Sequence, residues 1–205
     1  MSWRKWIRTV EIEPAVAAAN PAKLERQVEV LLRAGCRIFH LDIDETGHEL
    51  IERLAPLVHA QDGVLDIHLV GETRVLEAIL SGADSVTVDP RDHDAAAASS
   101  VAREHGTQFG VVFPETQPVD LLPLPYGSLD LVLVEVDGSA GSLIRVREIA
   151  SNLRPGLYLQ VEGALTLENI TPYRRAGATS LVVGQGIFVR EDLPRIYRRL
   201  VQAMV

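Results

Sequence analysis

Short runs along the chain alternate apolar and polar residues with a period of two. The longer runs between them repeat their apolar positions with a helical period. The first run sets Val10 and Ile12 against Thr9, Glu11 and Glu13 and stops at Pro14. This spacing predicts strands over residues 8–14, 37–42, 64–70, 85–88, 109–113, 129–134, 157–161 and 180–183. A helix is predicted from Asn20-Pro21, with Asn20 as its cap and Leu24, Val28, Leu31 and Leu32 as its buried stripe, ending at Ala34-Gly35. Further helices are predicted over 47–59, 72–80, 92–104, through Leu143, Val146 and Ile149 to Leu153, and over 167–175 and 192–204. Pro114, Pro118, Pro123 and Pro125 leave room for only a short helix after the fifth strand. The stretch from Gly138 to Ser142 reads as a loop.

Eight strands alternating with amphipathic helices imply a parallel sheet covered by helices. With no composition shift marking a linker, the pattern predicts an α/β fold: one (β/α)8 barrel domain (a TIM barrel) over residues 1–205, its chemistry at the C-terminal ends of the strands. A doubly wound open sheet is the rival, and its dinucleotide-binding version lacks the expected G-x-G-x-x-G after the first strand.

Composition narrows the partners. Of 205 residues 47% are hydrophobic, enough for a full core, and the net charge of −8 argues against nucleic acid or an anionic membrane as a partner. The lone cysteine, Cys36, precludes an internal disulfide and reads as a small buried hydrophobe. The basic start holding Trp3 and Trp6 lacks the apolar run of a signal peptide, and no run approaches the length of a membrane span, so a cytoplasmic location is expected. Trp3 and Trp6 read as a cap on the bottom of the barrel or a contact with a second copy, and Arg190, Arg195, Arg198 and Arg199 as a solvated or subunit-facing stripe; a homo-oligomer is expected. His48, His59, His93 and His105 read as surface groups.

The chemistry concentrates at three strand ends. In Phe39-His40-Leu41-Asp42-Ile43-Asp44 the period of two puts His40, Asp42 and Asp44 on one face. Leu65-Asp66-Ile67-His68-Leu69 and Leu159-Gln160-Val161-Glu162-Gly163 supply a second imidazole and a second carboxylate. If the ends converge, His40, Asp42, His68 and Glu162 make a metal site, an acid–base site, or both; the plainer alternative is a hydrogen-bonded relic. Asp44, Asp89, Glu135 and Asp137 add acid to the same mouth.

These residues resemble the ribulose-phosphate 3-epimerase family nearly end to end. Ile12-Glu13-Pro14-Ala15-Val16 is similar to the family's Ile-x-Pro-Ser-Ile, Phe39-His40-Leu41-Asp42-Ile43 to its Ile-His-Leu-Asp-Val, Leu65-Asp66-Ile67-His68-Leu69 to its Leu-Asp-Val-His-Leu, and Val161-Glu162-Gly163 to its Val-Asp-Gly. The resemblance implies inversion of a carbon beside the carbonyl of a ketopentose phosphate. Asp42 and Glu162 would be the acid–base pair. His40, Asp42, His68 and Glu162 would hold a divalent zinc, iron or manganese, and a sugar phosphate would be the small-molecule substrate. Phosphate contacts fall on Gly138, Ser139, Ala140 and Gly141, on Gly163, and on Gly184 and Gln185. Ala15, Asp44 and Glu135 stand where the family lines its pocket. The departures are Glu162 for an aspartate, Ala15 for a serine, Asp44, Val70 and Glu135 at methionine positions, and a shortened loop after the sixth strand. They leave open a second reading, a diverged barrel acting on another small, unphosphorylated ligand. Glu135 and Asp137 favour it, because like charges in a partly desolvated cleft repel a phosphate.

Overall fold

The structure, a computed structural model, describes residues 11–113, 129–189 and 191–204. Residues 8–10 of the first predicted strand, Trp3, Trp6, the proline-rich stretch and Arg190 lie outside them. Eight parallel strands form one sheet: β1 (Glu11–Pro14), β2 (Ile38–Ile43), β3 (Val64–Leu69), β4 (Ser85–Val88), β5 (Gln108–Val112), β6 (Leu131–Val136), β7 (Tyr158–Gly163) and β8 (Ser180–Val183). Each strand from β2 to β8 lies beside its successor in sequence, and β1 pairs with β8, Glu11 opposite Ser180 and Pro14 opposite Val183. A parallel bridge between Ala15 and His40 joins the end of β1 to β2 and closes the ring. That order excludes the doubly wound sheet, whose strand order reverses partway.

The helices are α1 (Leu24–Arg33), α2 (His48–His59), α3 (Val75–Ser81), α4 (Ala95–Glu104), α5 (Ala140–Asn152), α6 (Ile170–Ala176), α7 (Gln185–Phe188) and α8 (Leu193–Ala203). No helix among the described residues is long and apolar enough to cross a membrane. Capping chemistry explains most shifts from the predicted bounds. Asn20 caps a short 3-10 turn, Pro21–Lys23, and α1 begins only at Leu24. Asp94 accepts from the Ala96 and Ala97 amides, which starts α4 at Ala95 instead of residue 92. The predicted loop from Gly138 to Ser142 is a correction: Ser139 accepts from the Ser142 amide and α5 begins at Ala140. The short α7 has no counterpart in the prediction.

The strands bury two different faces. Outward residues such as Phe39, Leu41, Ile67, Val86, Val132, Val161 and Leu181 pack under the helices with Val28, Leu31, Ile51, Leu54 and Ile149. Cys36 lies in this layer with its thiol pushed up by burial. Inside the ring Ile38, Val64, Val112, Leu131 and Leu133 form a separate, smaller apolar plug. The rest of the interior is polar: Glu13, His40, Asp66, Ser85, Thr87, Gln160 and Ser180 are all buried. Six of them bond to one another and support the mouth of the barrel, while Thr87 Oγ1 makes no hydrogen bond.

Candidate metal centre

The inward alternation of three strands brings four side chains together. His40 and Asp42 come from β2, His68 from β3 directly beside Asp42, and Glu162 from the last turn of β7. His40 Nε2 lies 3.5 Å from Asp42 Oδ1 and 3.3 Å from Glu162 Oε2. His68 Nδ1 lies 3.0 Å from the same Asp42 oxygen and 3.9 Å from the same Glu162 oxygen. The ligand atoms of a tetrahedral zinc held at about 2.0–2.2 Å stand about 3.3–3.6 Å apart, within the span of these separations. His40 Nε2 and Glu162 Oε2 are buried and make no hydrogen bond. The two face each other at ion-pair distance, which a protonated His40 would satisfy; a divalent cation would satisfy both as well, and two imidazoles with two carboxylates suit zinc, iron or manganese.

The protonation states follow from the surroundings. Burial works to lower the pKa of His40, but the adjacent Glu162 and Asp42 carboxylates and the bond to Asp66 lift it well above the ordinary histidine value. Burial works to raise Asp42, but the adjacent His40 ring and the hydrogen bond from His68 hold its carboxyl below the usual range. Without a cation the quartet therefore keeps a proton on His40.

Behind the quartet lies a buried chain of hydrogen bonds. His40 Nδ1 meets Asp66 Oδ2 at 2.8 Å, which turns Nε2 toward Asp42 and Glu162. Ser85 donates to the other Asp66 oxygen. Gln160 Nε2 donates to Asp66 Oδ2 at 2.6 Å and to Glu13 Oε2 at 2.7 Å, and Ser180 bonds Glu13 Oε1. Burial, then the Asp66 charge, pushes the Glu13 carboxyl well above the carboxylate range. Burial also opposes ionisation of Asp66, yet its bonds to His40, Ser85 and Gln160 hold it low. Sequence reasoning missed this chain. The alternation assigned Glu13 to the polar face of the first strand and gave that face no role; in a closed ring Glu13 points inward and is buried.

The mouth has two lobes that share Glu162 and Gly163. One, of about 420 Å³, is lined by Asp42, His68, Asp89, Arg91, Asp92 and Glu135. Arg91 was not anticipated: its Nε reaches both oxygens of Asp89 at 3.0 and 2.8 Å, so the acid of this lobe is partly neutralised. The other lobe, of about 490 Å³, is lined by Ala15, Ala18, Thr166, Val182, Gly184 and Gln185. Ala15, Glu135, Gly163, Gly184 and Gln185 thus all reach the mouth. Asp44 does not line either lobe; it is exposed and accepts from the Thr46 amide and hydroxyl. Gly138, Ser139, Ala140 and Gly141 also lie outside both linings. There the Ser139 amide donates to Asp137 at 2.8 Å and the Ser142 amide to Ser139. His48 and His93 correct the surface reading, being half-buried: His48 Nε2 lies 3.5 Å from Glu77 and His93 Nε2 3.0 Å from the Thr73 carbonyl. His59 and His105 are exposed as read.

A closed parallel barrel with two histidines and two carboxylates at the C-terminal ends of its strands belongs to the class of (β/α)8 proteins that carry their chemistry at that face. Solved structures share the fold. Thiamine phosphate pyrophosphorylase from Pyrococcus furiosus superposes with a TM-score of 0.76 at 14% identity over 97% of both chains. Orotidine 5'-phosphate decarboxylase from Pyrococcus horikoshii gives 0.71 at 13% identity, over 94% of this chain and 98% of its own. The family profile for ribulose-phosphate 3 epimerases matches residues 11–188, and the chain belongs to that family of carbohydrate epimerases. It is 26% identical to ribulose-phosphate 3-epimerase 2 of Cupriavidus necator over 96% of this chain and 92% of that one. It is 25% identical to the chloroplastic ribulose-5-phosphate-3-epimerase of Arabidopsis thaliana, over 88% and 72%, and 23% identical to the Escherichia coli K12 enzyme, over 90% and 92%.

Proposed function

We propose that the protein is a metal-dependent epimerase that inverts a carbon beside the carbonyl of a ketose phosphate. His40, Asp42, His68 and Glu162 hold the cation, and Asp42 and Glu162 move the protons. The observation that carries this reading is the pair of buried atoms without hydrogen bonds, His40 Nε2 and Glu162 Oε2, facing each other at 3.3 Å with Asp42 beside them. A bound divalent cation supplies a Lewis acid that lowers the cost of negative charge on the carbonyl oxygen. One carboxylate takes the proton from the carbon, and the C–H electron pair moves into the carbonyl to give an enediolate. The other carboxyl, protonated at the outset, returns a proton to the opposite face, and the carbonyl re-forms. Asp42 comes from β2 and Glu162 from β7, so the two carboxylates reach the site from different strands of the ring.

The two lobes divide the substrate. The acidic lobe with Asp92 and Glu135 suits sugar hydroxyls, which donate hydrogen bonds. The lobe at Gly184 and Gln185 has no ionised side chain in its lining except the shared Glu162. It is where a phosphate avoids Glu135, so the acid of the mouth and a phosphorylated substrate are compatible. Ribulose 5-phosphate in deuterated buffer tests the reading, with protein reconstituted with zinc, manganese or iron. Deuterium entering at C3 together with the inverted product is expected. Exchange no faster than with metal-loaded Asp42→Asn protein overturns the proposal.

A further inference from the structure

We propose that Glu13 is a positioning residue for the metal centre: from β1 it orients the Gln160 amide, which holds Asp66, which in turn fixes the His40 ring. The consequence for metal rests on the proposed function; the ring-fixing role does not. Glu13 is fully buried and lies outside the quartet; its carboxyl bonds Ser180 and Gln160 and sits beside Asp66.

The Gln160 amide shows the direction of control. Its nitrogen serves two carboxyl groups, at 2.7 and 2.6 Å, while its own buried carbonyl oxygen makes no hydrogen bond. A buried amide usually turns to satisfy its oxygen as well. Here Glu13 Oε2 and Asp66 Oδ2, side by side, claim both N–H groups, and the reversed amide would aim its carbonyl at the ionised Asp66. Without Glu13 only Asp66 holds that orientation. A turned amide strips Asp66 of a donor and puts a carbonyl dipole against the oxygen that binds His40 Nδ1. The ring then loses the constraint that aims Nε2 at Asp42 and Glu162. Outer partners of metal-binding histidines typically shift metal affinity by about 10–100-fold.

Three variants separate positioning from mere packing. Glu13→Leu removes the acceptor, Gln160→Leu breaks the link from its other end in case Glu13→Leu fails to fold, and Glu13→Gln keeps an acceptor oxygen for Gln160. Two readouts are taken: zinc affinity by chelator competition, and the His40 Nδ1–H proton resonance, which reports the bond to Asp66 with or without metal. Zinc binding weakened about 10–100-fold in Glu13→Leu and Gln160→Leu, with the resonance lost or rapidly exchanging, is expected. Glu13→Gln is expected to stay within about threefold of wild type on the same scale. Wild-type affinity and an unchanged resonance in both leucine variants overturn the proposal. If the wild type binds no zinc, the metal reading fails, and the resonance alone decides: its loss in the leucine variants supports the positioning role of Glu13 and its persistence overturns it.

Discussion

Glu162 reaches the quartet on an arm one methylene longer than the aspartate that resemblance places there, and it still brings Oε2 within 3.3 Å of His40 Nε2. It does so from the C-terminal end of β7, where Glu162 is half-buried. If it is a proton-transfer group, Glu162→Gln lowers kcat by about 10²–10⁴-fold, as does Asp42→Asn. Proton exchange at the substrate carbon, measured on metal-loaded variants of unchanged circular dichroism, checks both; retention of more than a tenth of the wild-type rate by either would remove that residue from the pair. At this scale the quartet was legible because His40, Asp42, His68 and Glu162 occupy inward positions of strands whose other face is continuously apolar. Glu13, Gln160 and Asp66 were not, because a polar residue at an alternating position looks the same whether it faces water or the inside of a ring. Arg91 was missed for a different reason: it lies in the loop after β4, where no period exists to place it.

Elements set the precision of the site. Gly163 ends β7 with φ +134°, and a Cβ there would lie 1.9 Å from the Val136 carbonyl oxygen of β6. Gly163→Ala is therefore expected to lose about 1–3 kcal/mol from the backbone conformation alone, with more from the clash, and to move the neighbouring Glu162. Urea unfolding with a matching drop in metal affinity checks it; an unchanged midpoint would show that the strand end gives way freely. On the opposite side of the barrel the Asp94 cap of α4 acts locally. Asp94→Ala is expected to cost about 1 kcal/mol in the same unfolding measurement while leaving metal affinity within error. The strand cores were legible from their period, and helix starts shifted wherever a side chain such as Ser139 or Asp94 captured the first amides. Caps act through one or two hydrogen bonds each, too few to register in a period averaged over a dozen residues.

At the scale of the whole molecule the polar interior makes stability depend on pH in a direction opposite to metal binding. His40 in the folded apo-protein has a pKa above its unfolded value of about 6.5. Its contribution is complete below that value and is lost as pH rises through the higher, folded one. The raised Glu13 carboxyl acts with the same sign from about pH 4.3 upward. On the proposed function a bound cation would replace the His40 proton, and affinity would rise about tenfold per pH unit for each proton displaced. The gap in Tm between metal-loaded and metal-free protein should therefore widen from pH 6 to 8. At a free metal concentration one hundred times Kd it should be about 5–10 °C. Calorimetry at three pH values tests this, and a gap that narrows with pH would contradict it. The closed ring itself was legible in the count of strand–helix repeats, but its seam was not. The Ala15–His40 bridge joins the first strand to the second at the residue that anchors the metal centre, while the rest of β1 pairs only with β8. A barrel whose β8 has not docked therefore leaves β1 its bridge to β2 alone, and Glu13 without the Ser180 hydroxyl that β8 brings to its carboxyl.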